Sequence, residues 1–158
     1  MSVPVSLFDL TEAFDLPPEW GAWLDRERGV VVTLDPETLA AGEDAAADEL
    51  GELVDEAMLA AARAIAAGDP RYLALPDGFD FHEHRHMERF VHGLTAPRVA
   101  EELARALRGA GTFRRFKDTA RRLGVIEDWF TYRQATMERH MLEWAEANGV
   151  AVDRAPRR

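Results

Sequence analysis

Ala22-Trp23-Leu24-Asp25-Arg26-Glu27-Arg28-Gly29-Val30-Val31-Val32-Thr33-Leu34 places a charged turn between two apolar runs, and its reading decides the fold class. Three consecutive valines disfavour a helix, where a branched Cβ crowds the preceding turn, and favour a strand, where it packs on the pleated surface. The segment predicts a β-hairpin whose turn uses Gly29 at a position needing positive φ. The rest of the chain reads mainly as helices, so one hairpin moves the expectation from all-α to α+β.

Outward from the hairpin, Leu7, Leu10 and Phe14 form a short helical stripe ended by Pro17 and Pro18. Asp35 before Pro36 is a helix-start pair. Ala41 to Asp48 is small and acidic, and is expected to be a flexible loop. Leu50, Leu53, Val54, Ala57, Met58, Ala61 and Ile65 repeat at helical spacing up to Gly68-Asp69-Pro70. Arg71 to Leu75 then suits a third strand beside the hairpin. Helices follow at about Phe81–Leu94, Pro97–Arg108, Phe113–Leu123 and Ile126–Ala147. In the last, Ile126, Trp129, Phe130, Arg133, Met137, Met141 and Trp144 share one side, and Asn148-Gly149 is its stop. The expectation is one mostly helical α+β domain over residues 1–150. It has a small antiparallel sheet, hairpin plus one strand, in its N-terminal half, and 151–158 is a short C-terminal tail.

The 158 residues suffice for a buried core, and the absence of cysteine removes disulfides, thiolate nucleophiles and cysteine metal sites. The first residues lack a basic leader and a sustained apolar run, so no signal peptide and no membrane partner are expected, and the location predicted is cytoplasmic. Net charge is −10, distributed unevenly. Residues 1–69 carry 16 acids against 3 arginines, whereas Arg105 to Arg122 holds seven basic residues and one acid, Asp118.

That basic block, Arg108-Gly109-Ala110-Gly111-Thr112-Phe113-Arg114-Arg115-Phe116-Lys117-Asp118, is the candidate site. Phe113, Phe116, Ala120 and Leu123 form an apolar stripe, with Arg114, Arg115, Lys117, Arg121 and Arg122 on the opposite arc. Gly109 and Gly111 permit a sharp turn, Thr112 is expected as the N-cap and Gly124 as the stop. Arg108, Gly109, Gly111, Thr112, Arg114, Arg115 and Lys117 are therefore the expected anion-binding residues. The plain alternative is a solvated face, or one paired with Asp48, Glu49, Glu52, Asp55 or Glu56 of the acidic half, which would make the protein an interaction scaffold.

His82, Glu83 and His86 match HExxH, in which two histidines one helical turn apart hold zinc and the glutamate activates water. The longer pattern with a third histidine needs a glycine where Arg89 stands. Without that break His92 lies about 15 Å along the axis from His82, on another side. Glu83 also reads as the partner of Asp80 in a capping box. No metal and no cofactor are assigned. His82 and His86 remain candidates for metal capture and, with Glu83, for a metal-dependent hydrolase.

The chain resembles a family of small bacterial proteins catalogued only as an uncharacterised protein family. The residues that carry the resemblance are Arg71 to Pro76, His82 to Arg85, Met87 to Phe90 and Gly109 to Asp118, with Trp129, Arg133, Trp144 and Asn148-Gly149. It departs from that pattern at Ala110, where family members carry arginine, at Thr112, where they carry alanine, and at His86, where they carry an apolar residue. The resemblance implies a fold and a site but no activity. The function expected from the residues is a non-enzymatic binding or regulatory module engaging nucleic-acid phosphate or an acidic protein surface.

Overall fold

The structure is a computed structural model that describes residues 3–43 and 56–155. The elements in chain order are β1 (Val5–Ser6), α1 (Leu7–Glu12) with a 3₁₀ turn at Ala13–Asp15, β2 (Gly21–Asp25), β3 (Val30–Leu34), α2 (Pro36–Glu43) and α3 (Glu56–Ala66). Then come β4 (Tyr72–Ala74), α4 (Gly78–Phe81), α5 (Glu83–His92), α6 (Pro97–Ala106), α7 (Thr112–Arg122), α8 (Ile126–Ala147) and β5 (Val152–Asp153). The fold is α+β and mostly helical, with the small antiparallel sheet in the N-terminal half.

The described chain falls into two compact units, residues 1–80 with 141–158, and residues 81–140. In the first, β2 pairs antiparallel with β3 on one side and β4 on the other, Trp23 standing opposite Val32 and Ala74. The hairpin turn closes with Gly29 at φ +65° and its N–H donating to the Asp25 carbonyl at 2.8 Å. The Asp25 carboxylate reinforces it, because Oδ1 accepts from the backbone of Glu27 and Arg28 at 3.1 and 3.3 Å. Asp35 caps α2 as its position before proline predicts, accepting from the Thr38 N–H at 2.8 Å.

Two expectations for this unit change. Ala41 to Glu43, assigned to a flexible loop, complete α2, where Ala41 is buried beside Leu59 of α3. Residues 44–48 of that loop lie outside the described residues, as do Leu50, Leu53 and Val54 of the following helix. The segment from 151, expected as a tail, supplies β5, which pairs in parallel with β1 through Val5–Val152 and Ser6–Asp153. A two-residue strand has too little length to show an alternating pattern, so only its partner reveals it.

In the second unit α5, α6, α7 and the first part of α8 close around Met87, Phe90, Val91, Leu103, Phe116, Ala120 and Trp129. Phe90, Phe116 and Trp129 meet edge to face, with ring centroids 5.2–6.4 Å apart. Such contacts add to the area they bury and fix how the helices register. Two aromatic residues of the expected stripes are exposed. Phe113 is 46% exposed and Phe130 is 41% exposed.

Candidate anion-binding groove

The second unit holds twelve Lys and Arg against eight Asp and Glu, a balance of +4, and all five histidines. The first unit holds seven against 21, a balance of −14, which together recover the net −10. The whole excess lies on α7, Thr112–Arg122, which holds five cations against one acid, a balance of +4, while the rest of the unit is balanced at seven against seven.

At the turn into α7, Gly109 has φ +84° and Gly111 φ +67°. The N-cap is Gly111, not Thr112, and Thr112 is the first helical residue. The cap residue takes a left-handed conformation here, which a β-branched threonine adopts only with strain, so the cap falls on the glycine and has no side-chain hydrogen bond. The end of α7 matches its sequence. Gly124 at φ +73° lets the Val125 N–H reach the Ala120 carbonyl at 2.9 Å and its own N–H reach Arg121 at 3.2 Å.

The expected site residues do not form one surface. Phe116 and Ala120 point into the core, and at about 100° per residue the cations divide to either side of them. Arg115, Thr119 and Arg122 face α6 and, with Glu102, Arg105 and Ala106, line an open groove of about 300 Å³. Arg114 and Lys117 lie on the other flank, next to Phe113. The Arg115 guanidinium turns back and donates through Nη2 to the Arg108 carbonyl, tying the groove to the glycine turn. Arg108 and Arg114 are exposed and Lys117 is half-buried.

The acids meeting these cations are local. Arg122 reaches Glu102 at 3.3 Å, Arg105 reaches Glu101 at 3.2 Å and Arg121 reaches Asp118 at 3.4 Å. In each pair the arginine is more than half exposed, so the pairs are worth at most about 1 kcal/mol and a multivalent anion can replace them. Of the acids the scaffold alternative assigns to this helix, Asp48, Glu49, Glu52 and Asp55 lie outside the described residues, and Glu56 begins α3 of the first unit, exposed. Among the described residues, Arg114 and Lys117 show no acidic partner. The groove residues missed from sequence were Glu102, Arg105, Thr119 and Arg122. Their signal was the i, i+4, i+7 spacing of Arg115, Thr119 and Arg122, which a count of charges overlooks.

The HExxH segment folds differently from that pattern. His82 precedes α5 with φ +54° and ψ +58°, so the two histidines are not successive turns of one helix. Glu83 is ion-paired to Arg133, which also lies 5.9 Å over the Phe81 ring. His86 stacks on Phe81 with centroids 4.5 Å apart. Among the described residues, no group of three or more His, Cys, Asp or Glu is placed to hold a metal ion. The expected Asp80–Glu83 capping box is displaced by three residues. Asp77 and Asp80 exchange side-chain-to-backbone bonds at 2.9 and 3.0 Å and cap α4 instead. The left-handed break at His82 separates α4 from α5, leaving Glu83 to Arg133.

A cleft of about 420 Å³ in the first unit is lined by Asp9, Glu12, Asp15, Ala13, Leu16, Val31 and Thr33. No helix among the described residues is long and apolar enough to cross a membrane. Comparison of the chain with family models, with curated proteins and with solved structures finds no match.

Proposed function

We propose that the protein is a cytoplasmic binding or regulatory module that engages an anionic partner at the groove between α6 and α7. The observation that carries this is the convergence of Arg105, Arg115 and Arg122 with Thr119 on one open concavity that contains a single carboxylate, Glu102. Guanidinium groups fit phosphate and carboxylate oxygens in pairs, and a neighbouring hydroxyl supplies a further donor. The charge balance of α7 supports the same reading, since in an acidic chain a polyanion is drawn to the one helix where cations are concentrated. The absence of cysteine fits a reducing compartment.

The test is binding of a labelled polyanion, inorganic polyphosphate, across a salt series, with wild type beside Arg115→Ala, Arg122→Ala. The expected result is affinity that falls steeply with salt and is lost in the double variant, with its thermal midpoint unchanged. Equal losses of affinity and stability would make the arginines structural, and no binding by wild type at low salt would end the proposal.

A further inference from the structure

Phe113 breaks the amphipathic logic of its own helix. A phenylalanine at the start of an apolar stripe should be covered, yet 46% of its surface is exposed, beside Arg114 and one helical turn from Lys117. Its ring is not loose. His84 meets it edge-on, with centroids 6.4 Å apart. The His84 ring is held in turn by Glu88 at 3.1 Å through Nδ1 and lies 3.3 Å from the Leu107 carbonyl through Nε2. A partly exposed aromatic ring is thus packed against His84 of α5, on the helix that also carries Arg114 and Lys117.

Single rings exposed on helices are common and need no partner. Three coincidences distinguish this one. The ring is propped by a residue from another helix, Arg114 and Lys117 of its own helix show no acidic partner among the described residues, and an arginine-lined groove lies across the same helix. Helical geometry places Phe113 and Lys117 about 40° apart around α7, with Arg114 about 100° from Phe113. An anion held by Lys117 or Arg114 would therefore bring whatever planar group it carries over the ring.

We infer that Phe113, flanked by Arg114 and Lys117, is a base-stacking surface for single-stranded nucleic acid. This rests on the anion-binding reading of the groove, which would hold phosphates on the other side of the α7 start while Phe113 takes a base. Duplex is disfavoured because its base faces are covered by their neighbours, so an exposed ring has nothing to stack on. An acidic protein surface would use the cations but leave the ring without a role. The combination of a basic track and an aromatic platform suits unpaired bases of any sequence.

The experiment compares four fluorescent or competing probes: a mixed-sequence single-stranded oligonucleotide, an abasic strand of the same length, a duplex and inorganic polyphosphate. Wild type is measured beside Phe113→Ala, Phe113→Trp and the Arg115→Ala, Arg122→Ala variant. Because Phe113 lies outside the buried core, its replacement should change the melting midpoint little. The expected result is single strand bound more tightly than abasic strand or duplex. Phe113→Ala should lose about tenfold on the single strand alone, and Phe113→Trp should keep it, as expected for one stacked base. Polyphosphate binding should respond to the groove variant and ignore Phe113. If abasic and mixed strands bind alike and Phe113→Ala changes neither, the stacking inference is overturned while anion binding stands. If polyphosphate binds and no oligonucleotide does, the inference is likewise overturned in favour of a protein partner. If nothing binds, both fall.

Discussion

Arg71 grips Asp25 through both carboxylate oxygens, Nε to Oδ1 and Nη2 to Oδ2, at 2.9 Å each. Asp25 is 1% exposed, at the end of β2, and the same Oδ1 organises the hairpin turn. Arg71 also reaches Glu27 at 3.2 Å, and its carbonyl accepts from the Arg26 N–H at 2.9 Å. One carboxylate thereby joins the turn, the central strand and the start of β4.

Removing either partner should unfold the first unit more easily. Asp25→Ala is expected to cost about 2–4 kcal/mol in urea unfolding, since it breaks a largely buried pair and leaves turn amides without an acceptor. Arg71→Ala should cost at least as much, because the buried partner is the carboxylate it strands. The hydrogen bond from Arg71 is the largest cause holding the Asp25 carboxyl below its usual 3.8, outweighing desolvation. A carboxyl depressed on folding stabilises the protein above its unfolded value, and this stability is lost as pH falls through the lower folded value. The acid limb of the unfolding profile should therefore flatten in Asp25→Ala. A loss below about 1 kcal/mol would show the pair to be dispensable.

His86 should make the second unit sensitive to mild acid. Its pKa is lowered from 6.5, chiefly by burial against Phe81, with Arg89, His140 and Arg139 adding repulsion and the Phe81 backbone opposing. The unfolded chain then binds a proton that the folded one refuses, so stability declines as pH falls from 6.5 to the lower folded value and changes no further below it. His86→Phe keeps a ring for the stack and removes the titration. Urea unfolding at pH 7 and at about pH 5 should show a smaller difference in this variant than in wild type. An unchanged difference would show that His86 does not carry the acid sensitivity.

The hairpin, β4 and the longest helix were legible because each is governed by its own sequence. Val30–Leu34 and Ile126–Ala147 carry their period, turn residues and stops within themselves. What sequence left hidden was pairing at a distance. Nothing in Glu83 marks Arg133, fifty positions away, as its partner, and nothing in Val152 marks Val5. The candidate groove was half legible for the same reason. The density of arginines on α7 was visible, but the groove needs Glu102 and Arg105 from α6, and only the packing of Phe116 and Ala120 decides which arginines face them. The cap of α7 fell one residue early because a left-handed backbone at Gly111 overrode the side-chain preference for threonine.

Gly42 marks the close approach of α2 to α3. A Cβ built there would lie 2.6 Å from the carbonyl carbon of Ala62 and 2.8 Å from its oxygen. Backbone cannot step aside as a side chain can, so Gly42→Ala should lose more to overpacking, about 1–3 kcal/mol, than the roughly 1 kcal/mol that alanine gains in helix propensity. The melting midpoint should fall. A rise would mean the two helices separate without loss, so that Gly42 is not what holds them close.

Gly111 tests the hinge that positions the basic helix. A Cβ there meets nothing within 4 Å, so any penalty comes from the left-handed backbone alone. Gly111→Ala should cost about 1–2 kcal/mol, while Gly111→Asn, which tolerates that conformation, should cost less. The consequence for binding follows from Arg115, whose guanidinium is anchored on the Arg108 carbonyl across this turn. If alanine relaxes the strain by opening the turn, that anchor goes and polyanion affinity falls further than the stability loss accounts for, with asparagine restoring both. Alanine matching wild type in melting and binding would show that the turn needs no glycine, and that the groove is set by the packing of Phe116 alone.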